Sequence, residues 1–148
     1  MSSPVFKRIV YCSRASKLPN TFELQNLLST SREFNAKHDI SGILLYKDGS
    51  YLQFIEGEVD VINSLYERIK NNPRHYKVKL LLEGESAVRA FPGWHMGYYQ
   101  PGMKTIKISD IAESDPLSDF DRKVFQEHPD DFELVFVNKL IRTFLKYA

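Results

Sequence analysis

The sequence predicts one α+β domain in which a single sheet packs against helices. Three observations lead to this fold class. Short apolar segments rich in β-branched residues alternate with segments of helical periodicity. An Asp48-Gly49 pair between two apolar segments indicates a β-hairpin. A hydrophobic share of 43% in 148 residues supports a packed core.

The first half of the predicted sheet comes from three segments of the chain. A strand is predicted over 6–12, because this segment is short, apolar and β-branched. A helix is predicted over 21–36, where one face carries Leu24, Leu27, Leu28, Ser31 and Asn35. The hairpin then places strands over 40–46 and 51–56.

The remaining elements complete an order that is known from one fold. A second helix is predicted over 59–71, ended by Asn72 and Pro73, and strands are predicted over 76–83 and 93–99. The order β-α-β-β-α-β, followed by one more strand, is that of the ferredoxin-like fold, an antiparallel-dominated sheet with both helices on one face.

The other face of this sheet needs a cover. Strand parity places Val10, Leu52 and Phe54 on it. Two further helices are predicted over 116–126 and 130–147, and the second has an apolar stripe. We therefore expect a domain over 1–100 and a C-terminal helical extension over 101–148 that packs on the sheet.

Charge and composition exclude several classes of protein. The net charge of +1 provides no long-range attraction for nucleic acid or anionic lipid. No apolar segment approaches the roughly 18 residues of a membrane span, and residues 1–7 lack the apolar core of a signal peptide. The single cysteine and four scattered histidines indicate no metal site. We expect a cytoplasmic protein.

Polar side chains converge beneath the two predicted helices. Strand parity brings four side chains together there, two of them carrying a phenol or an amide, namely Tyr11, Gln53, Trp94 and Met96. The first helix adds Ser31 and Asn35. A buried polar group without a partner costs roughly 1–3 kcal/mol, and a planar heteroaromatic ligand with a polar edge would supply partners. For each residue alone, bonding to the backbone is the alternative.

Several spaced motifs resemble one known family. The region over 40–57 is similar to the signature of the BLUF family of FAD-binding blue-light sensors. The matching residues are Ile40-Ser41-Gly42-Ile43-Leu44-Leu45-Tyr46, Gly49, Tyr51, Gln53 and Ile55-Glu56-Gly57. Asn35, Tyr11 and the Trp94-His95-Met96 segment also match the family pattern. The resemblance covers about residues 5–99 and departs from the pattern at Phe34 and Ser41.

The resemblance implies a noncovalently bound FAD and specific roles at its ring. Tyr11 would donate an electron to the excited flavin, and Gln53 would change its hydrogen bonds after light. Asn35 would bond the polar edge of the ring, and Ser31 would assist Gln53 or that edge. Met96 and Trp94 would compete for the position beside Gln53.

The same resemblance assigns the rest of the FAD contacts. Leu27 and Ile69 would sandwich the ring, one from each helix. Arg68, Arg74 and His75 would serve the flavin carbonyl side, the ribityl chain and the phosphates.

The resemblance also implies a sensor rather than an enzyme. The sequence contains no segment typical of a cyclase, a phosphodiesterase or a DNA-binding domain. We therefore expect signalling to a separate downstream protein or through self-association. Light is expected to act on residues 101–148, with the polar segment 109–118 as a hinge.

Three alternatives belong to other functional classes. RNA-binding modules share the fold, but the balanced charge and the lack of a basic-aromatic RNP1 string argue against one. An acylphosphatase-like enzyme would depend on Arg14 alone. A flavoprotein enzyme would need a catalytic base and a second substrate pocket, and neither is evident.

Overall fold

A computed structural model describes residues 5–101 and 120–147. Its first elements are β1 (Phe6–Ala15), α1 (Thr21–Lys37), β2 (Ser41–Lys47), β3 (Ser50–Glu58), α2 (Val59–Lys70), β4 (His75–Ser86) and β5 (Gly97–Tyr99). A π-helical segment (Lys123–Glu127) and helix α3 (Phe132–Tyr147) follow. The expected hinge at 109–118 and the predicted helix start at 116 lie outside the described residues.

The described strands form one sheet in the order β4-β1-β3-β2-β5. Neighbouring strands are antiparallel, apart from β2 and β5, which are parallel. The order of β1 to β4 is that of the ferredoxin-like fold, with β5 added beside β2. This confirms the predicted fold class. None of the helices in these two ranges is long and apolar enough to cross a bilayer.

Local chemistry fixes the central hairpin. Asp48 and Gly49 both have positive φ values, 49° and 84°, as a two-residue type I′ turn requires. Lys47 pairs with Ser50 directly outside this turn. In β2, a Cβ atom added to Gly42 would lie 2.0 Å from the Phe54 carbonyl oxygen, so a side chain there would push β2 and β3 apart.

The register assigns the side chains to two faces. Tyr11 lies opposite Gln53 and Ile9 opposite Ile55 on the helix face. The other face, called the far face below, carries one large apolar cluster. Its sheet members are Val10, Ile43, Leu45, Leu52 and Phe54, and its C-terminal members are Phe120, Val124, Leu134, Val137 and Ile141. The C-terminal helices therefore cover the far face, as predicted.

The last strand is shorter than predicted. β5 begins at Gly97, and residues 87–96 form a loop in which Gly93 has a φ of 84°. The Trp94 amide donates to the Phe91 carbonyl at 3.0 Å. Side chains alternate between faces only in extended strands. Trp94 accordingly packs into the far-face cluster, so the prediction that it lies beneath the two helices is wrong.

Arg8 is a buried charge that ties helix α3 to the sheet. It is 1% exposed, and its guanidinium donates to Asp131 at 2.8 and 3.1 Å and to Glu133 at 3.0 Å. Asp131 also accepts the Leu134 amide at 3.2 Å, as a residue preceding the first turn of a helix does. Arg8 therefore anchors the beginning of α3.

Glu56 is a second buried charge on the far face, and it holds the loop after β4. Its carboxylate is 0% exposed and accepts the amides of Ala90 and Phe91 at 2.8 and 2.7 Å. The Ser41 hydroxyl donates to the same carboxylate at 2.9 Å. These bonds fix the loop that leads from β4 to Trp94 and β5.

Candidate functional site

Three buried side chains form a hydrogen-bonded chain on the helix face. The Tyr11 hydroxyl donates to Gln53 Oε1. Gln53 Nε2 donates to the Met96 sulfur at 3.4 Å. The three residues are 4%, 6% and 4% exposed, respectively. The structure thus brings together three of the four strand residues predicted to converge there.

Tyr11 stays protonated at neutral pH. Its burial raises the pKa of the phenol well above the ordinary value, and the nearby Tyr66 and Tyr51 raise this pKa further. The rings of Tyr66 and His75 lie 5.8 and 6.2 Å from the Tyr11 ring, measured between centroids. The phenol is therefore a hydrogen-bond donor in a largely aromatic environment.

The apolar core on the helix face is divided into two clusters. One lies under α1 and contains Leu24, Leu28, Leu44 and Met96. The other lies under α2 and contains Ile9, Tyr11, Ile40, Ile55 and Ile62. Gln53 joins the two clusters through its bonds to Tyr11 and Met96. A polar amide therefore connects the two apolar clusters.

Asn35 is the second amide of this site. It is 3% exposed, and its Nδ2 donates to the His95 carbonyl. An amide offers two N–H groups and one acceptor oxygen. Asn35 and Gln53 can each keep their present bonds and still bond the edge of a ligand. The residues present therefore fit a planar heteroaromatic ring with a polar edge.

The other residues predicted to contact the ring lie on α1 and α2. Leu27 and Ser31 are half-buried on α1, and Ile69 is half-buried in the cluster under α2. Phe34, one of the positions at which this sequence departs from the family pattern, packs against the same cluster. The Arg68 guanidinium lies 4.8 Å from the centre of the Phe34 ring.

His75 already bonds within the protein at both ring nitrogens. Its Nε2 lies 2.5 Å from the Ile69 carbonyl, which can only accept, so Nε2 carries the proton. Its Nδ1 lies within hydrogen-bond distance of the Ser13 hydroxyl, at 2.8 Å. His75 thereby links the end of α2 to β1. Arg74, the residue before it, is exposed.

Arg32 is a site residue that the sequence did not indicate. Its Nε and Nη2 donate to the Met96 carbonyl at 3.2 and 3.0 Å. The available signal was its spacing, since Arg32 precedes Asn35 by three residues and so lies on the same side of α1.

A cavity of about 550 Å³ opens elsewhere, beside the β2–β3 turn. Its lining includes Arg14, Lys17, Tyr46, Lys47 and Gln100, but neither Tyr11 nor Gln53. The buried group of Tyr11, Gln53, Met96 and Asn35, called the slot below, carries the polar chemistry that a ring ligand needs, whereas this open cavity does not.

Comparisons of the sequence with known proteins identify its family. The sequence model of the family described as sensors of blue-light using FAD matches residues 6–97. The beta subunit of a photoactivated adenylate cyclase from Euglena gracilis is 31% identical over 84 residues, which are 57% of this chain and 10% of that subunit. The blue light- and temperature-regulated antirepressor BluF of Escherichia coli (strain K12) is 24% identical over 85% of this chain and 28% of its own.

Solved structures show the same similarity. The photo-activated state of BlsA is 31% identical, with a TM-score of 0.60 over 66% of this chain and 71% of that one. The dark-state structure of BlrB, a BLUF protein, has a TM-score of 0.65 over 93% and 96% of the two chains. At 21% identity, BlrB shows the common fold alone.

Fold, slot and comparisons define a sensor domain that uses a flavin. The chain belongs to the BLUF family, the sensors of blue light using FAD, and FAD is its cofactor. Domains of this family are sensors rather than enzymes. The RNA-binding and acylphosphatase-like alternatives belong to other families. The chain spans about a tenth of the first curated relatives that it matches.

Proposed function

We propose that this protein is a blue-light photoreceptor in which light changes the hydrogen bonds of Gln53. The observation that carries the proposal is the buried chain from Tyr11 through Gln53 to Met96. It links an oxidisable phenol to a switchable amide and then to a residue next to β5. Catalysis has no part in this function.

The residues of the slot would hold FAD noncovalently between α1 and α2. Asn35 would bond the polar edge of the ring, with Ser31 near it. Leu27 and Ile69 would supply the apolar contacts on either side of the ring. Arg68, Arg74 and His75 would serve the flavin carbonyl side, the ribityl chain and the phosphates, Arg74 being exposed and therefore accessible to a charged group.

Tyr11 would supply an electron and a proton. Bound FAD would supply the blue-light absorption and the acceptor for that electron. Because burial raises the pKa of the Tyr11 phenol, the phenol would keep its proton until it gives up the electron. Gln53 Oε1, which already accepts from the Tyr11 hydroxyl, would receive that proton. The electron and the proton would both return to Tyr11 as the amide reverses, so that no net charge or oxidation remains.

Gln53 would then reverse the polarity of its amide. With Nε2 facing Tyr11, its Oε1 would face the sulfur of Met96. A thioether accepts hydrogen bonds but cannot donate them, so two acceptors would then face each other. Met96 would lose its present contact, and its position would report the state of Gln53.

The signal would pass to the far face through the loop at 87–96. Trp94 stands two residues before Met96 and contacts Phe91, whose ring stacks on Phe120 with a centroid distance of 4.7 Å. We propose that residues 1–100 are the photosensor and that 101–148 carry its signal to a separate cytoplasmic protein or to another copy of this chain.

Absorption spectroscopy of the purified protein tests this function. We expect a yellow protein that releases flavin on heating and whose flavin band shifts slightly to the red after blue light. A colourless protein that takes up no added FAD would contradict the proposal. So would a bound flavin whose spectrum does not respond to light.

A further inference from the structure

We infer that Arg32 is a positioning residue that holds the Met96 backbone, keeps the Met96 sulfur beside Gln53, and so sets the rate of return after light. This inference rests on the function proposed above. It adds a role for a residue of α1 to which that function assigned none.

Met96 needs an anchor besides its contact with Gln53. A thioether is a weak acceptor, and the bond from Gln53 Nε2 is 3.4 Å long. The methionine side chain is unbranched and flexible. The pairing of β5 with β2 begins at Gly97, which lies opposite Ile43, so Met96 stands just outside this short ladder.

The Arg32 guanidinium provides that anchor. Two of its nitrogens, Nε and Nη2, donate to the single Met96 carbonyl at 3.2 and 3.0 Å. Hydrogen bonds from a charged donor are stronger than neutral ones, and the rigid fork of arginine fixes direction as well as distance. Arg32 is half-buried, so solvent screens this interaction less than it would at the surface.

Asn35 extends the same attachment by one residue. It lies one helical turn after Arg32, and its amide donates to the carbonyl of His95. Two neighbouring carbonyls before β5 are thus tied to one side of α1. Asn35 is also expected to bond the ring, whereas Arg32 acts on the backbone of Met96. Substitution of Arg32 should therefore change the position of Met96 without removing a contact to FAD.

The recovery rate should depend on this anchor. Return to the resting arrangement requires Met96 to come back beside Gln53. Without the fork, the backbone before β5 can adopt other positions, and fewer of them present the sulfur to Nε2. We expect Arg32→Gln to slow recovery by about threefold to tenfold, as the loss of one net hydrogen bond would. Arg32→Lys, which keeps the charge but not the fork, should lie between this variant and the parent.

The experiment measures thermal recovery of the red-shifted band after a blue flash in the FAD-loaded protein. Lys37→Gln is the matched control, because Lys37 is an exposed cation on the same helix. It should change the rate by less than about twofold. The Arg32→Gln change is then repeated in a Met96→Leu background, where no sulfur remains to be positioned. Its effect should fall below about twofold there, because contacting residues are not additive.

Three outcomes would overturn the inference. One is a parental recovery rate in Arg32→Gln with normal flavin content. Another is an equally large effect in the Met96→Leu background, which would show that Arg32 acts elsewhere. If Arg32→Gln does not fold or does not bind FAD, the test uses Arg32→Lys instead. The third contradicting outcome is then a parental recovery rate in Arg32→Lys. A parent protein without any red shift would instead contradict the proposed function.

Discussion

The two hydrogen bonds of the Gln53 amide respond differently when the amide reverses its orientation. The Tyr11 hydroxyl can either donate or accept, so it can bond either end of the amide. The Met96 sulfur can only accept, so it bonds Nε2 and not Oε1. A reversal of the amide therefore keeps one contact and breaks the other, which makes Met96 the neighbour sensitive to the orientation.

Substitution of the two switch residues should separate light sensing from flavin binding. We expect Tyr11→Phe and Gln53→Leu to retain FAD but to lose the normal red-shifted state. Phenylalanine removes the phenolic proton, and leucine removes the amide while remaining similar in size. Difference spectra before and after blue light measure the effect. A parental red shift in either variant would show that the switch is assigned to the wrong residue.

Asn35→Ala should weaken FAD binding instead. It removes a buried amide that we expect at the polar edge of the ring, and the loss of one net hydrogen bond is worth about 0.5–1.5 kcal/mol. Flavin titration of the apoprotein should show a dissociation constant raised about twofold to tenfold. Asn26→Ala, an exposed asparagine on the same helix, is the control. Unchanged affinity in Asn35→Ala would move the ring contact to another residue.

Strand parity correctly predicted the face of the sheet on which Tyr11 and Gln53 lie. Tyr11 and Gln53 lie in regular strands, where alternation follows directly from the extended backbone. The same argument was wrong for Trp94, because Gly93 turns the chain where a strand was assumed. Arg32 was missed because a charged residue on a helix is usually interpreted as solvent-exposed, whereas its long side chain reaches the backbone of Met96.

At the scale of the elements, Asp131 combines two contributions at the start of α3. It pairs with Arg8, and it caps the helix through the Leu134 amide. Burial alone would raise the pKa of its carboxyl. The hydrogen bonds from Arg8 and Leu134, together with the Arg8 charge, outweigh this effect and lower the pKa below the ordinary value.

Asp131→Asn should therefore loosen the attachment of α3. The change removes one of the two carboxylates that compensate the buried positive charge of Arg8. We expect the free energy of unfolding to fall by about 1–3 kcal/mol. Urea unfolding at neutral pH measures this loss. Asp130→Asn, a change at the exposed neighbour, is the control and should have little effect. Equal stability of Asp131→Asn and the parent would contradict the anchoring role.

The difference in free energy of unfolding between the parent and Asp131→Asn should depend on pH with a definite sign. The folded pKa of Asp131 is lowered, so its contribution is present above the unfolded pKa of about 4 and is lost as pH falls through the folded pKa. The parent and Asp131→Asn should therefore approach each other in stability below about pH 4. A difference that stays constant into acid would exclude a charge effect.

The helices and strands themselves were predicted closely, with two exceptions that have physical causes. β5 is shorter because the Gly93 turn lies where a strand was expected. Residues Lys123–Glu127 are π-helical, with the His128 amide bonding the Lys123 carbonyl five residues earlier. Periodicity arguments assume 3.6 residues per turn and cannot find such a segment.

At the scale of the whole molecule, the sheet separates the helix face, which α1 and α2 cover, from the far face, which the C-terminal helices cover. The sequence predicted this division, because two helices occupy one side and only the C-terminal segments remained for the other. Single contacts such as Arg8 with Asp131 connect residues more than a hundred positions apart, and no local pattern reports them.

Hydrogen exchange in the dark and under blue light tests the route between these faces. We expect light to change amide protection in residues 120–147 more than in the interior strands β1 and β3. The reason is that Met96 and Trp94 are joined by one residue and lie on opposite faces. Identical protection of 120–147 in both states would contradict this route and would indicate that a partner contacts the helix face directly.

The position of Trp94 has a further use. It is the one tryptophan of the chain, it is 8% exposed, and it packs among Phe91 and the far-face cluster, on the side away from Gln53. Indole fluorescence responds to packing and to water. The protein therefore contains its own optical reporter for the covered face, and its emission can be followed over time without an added label.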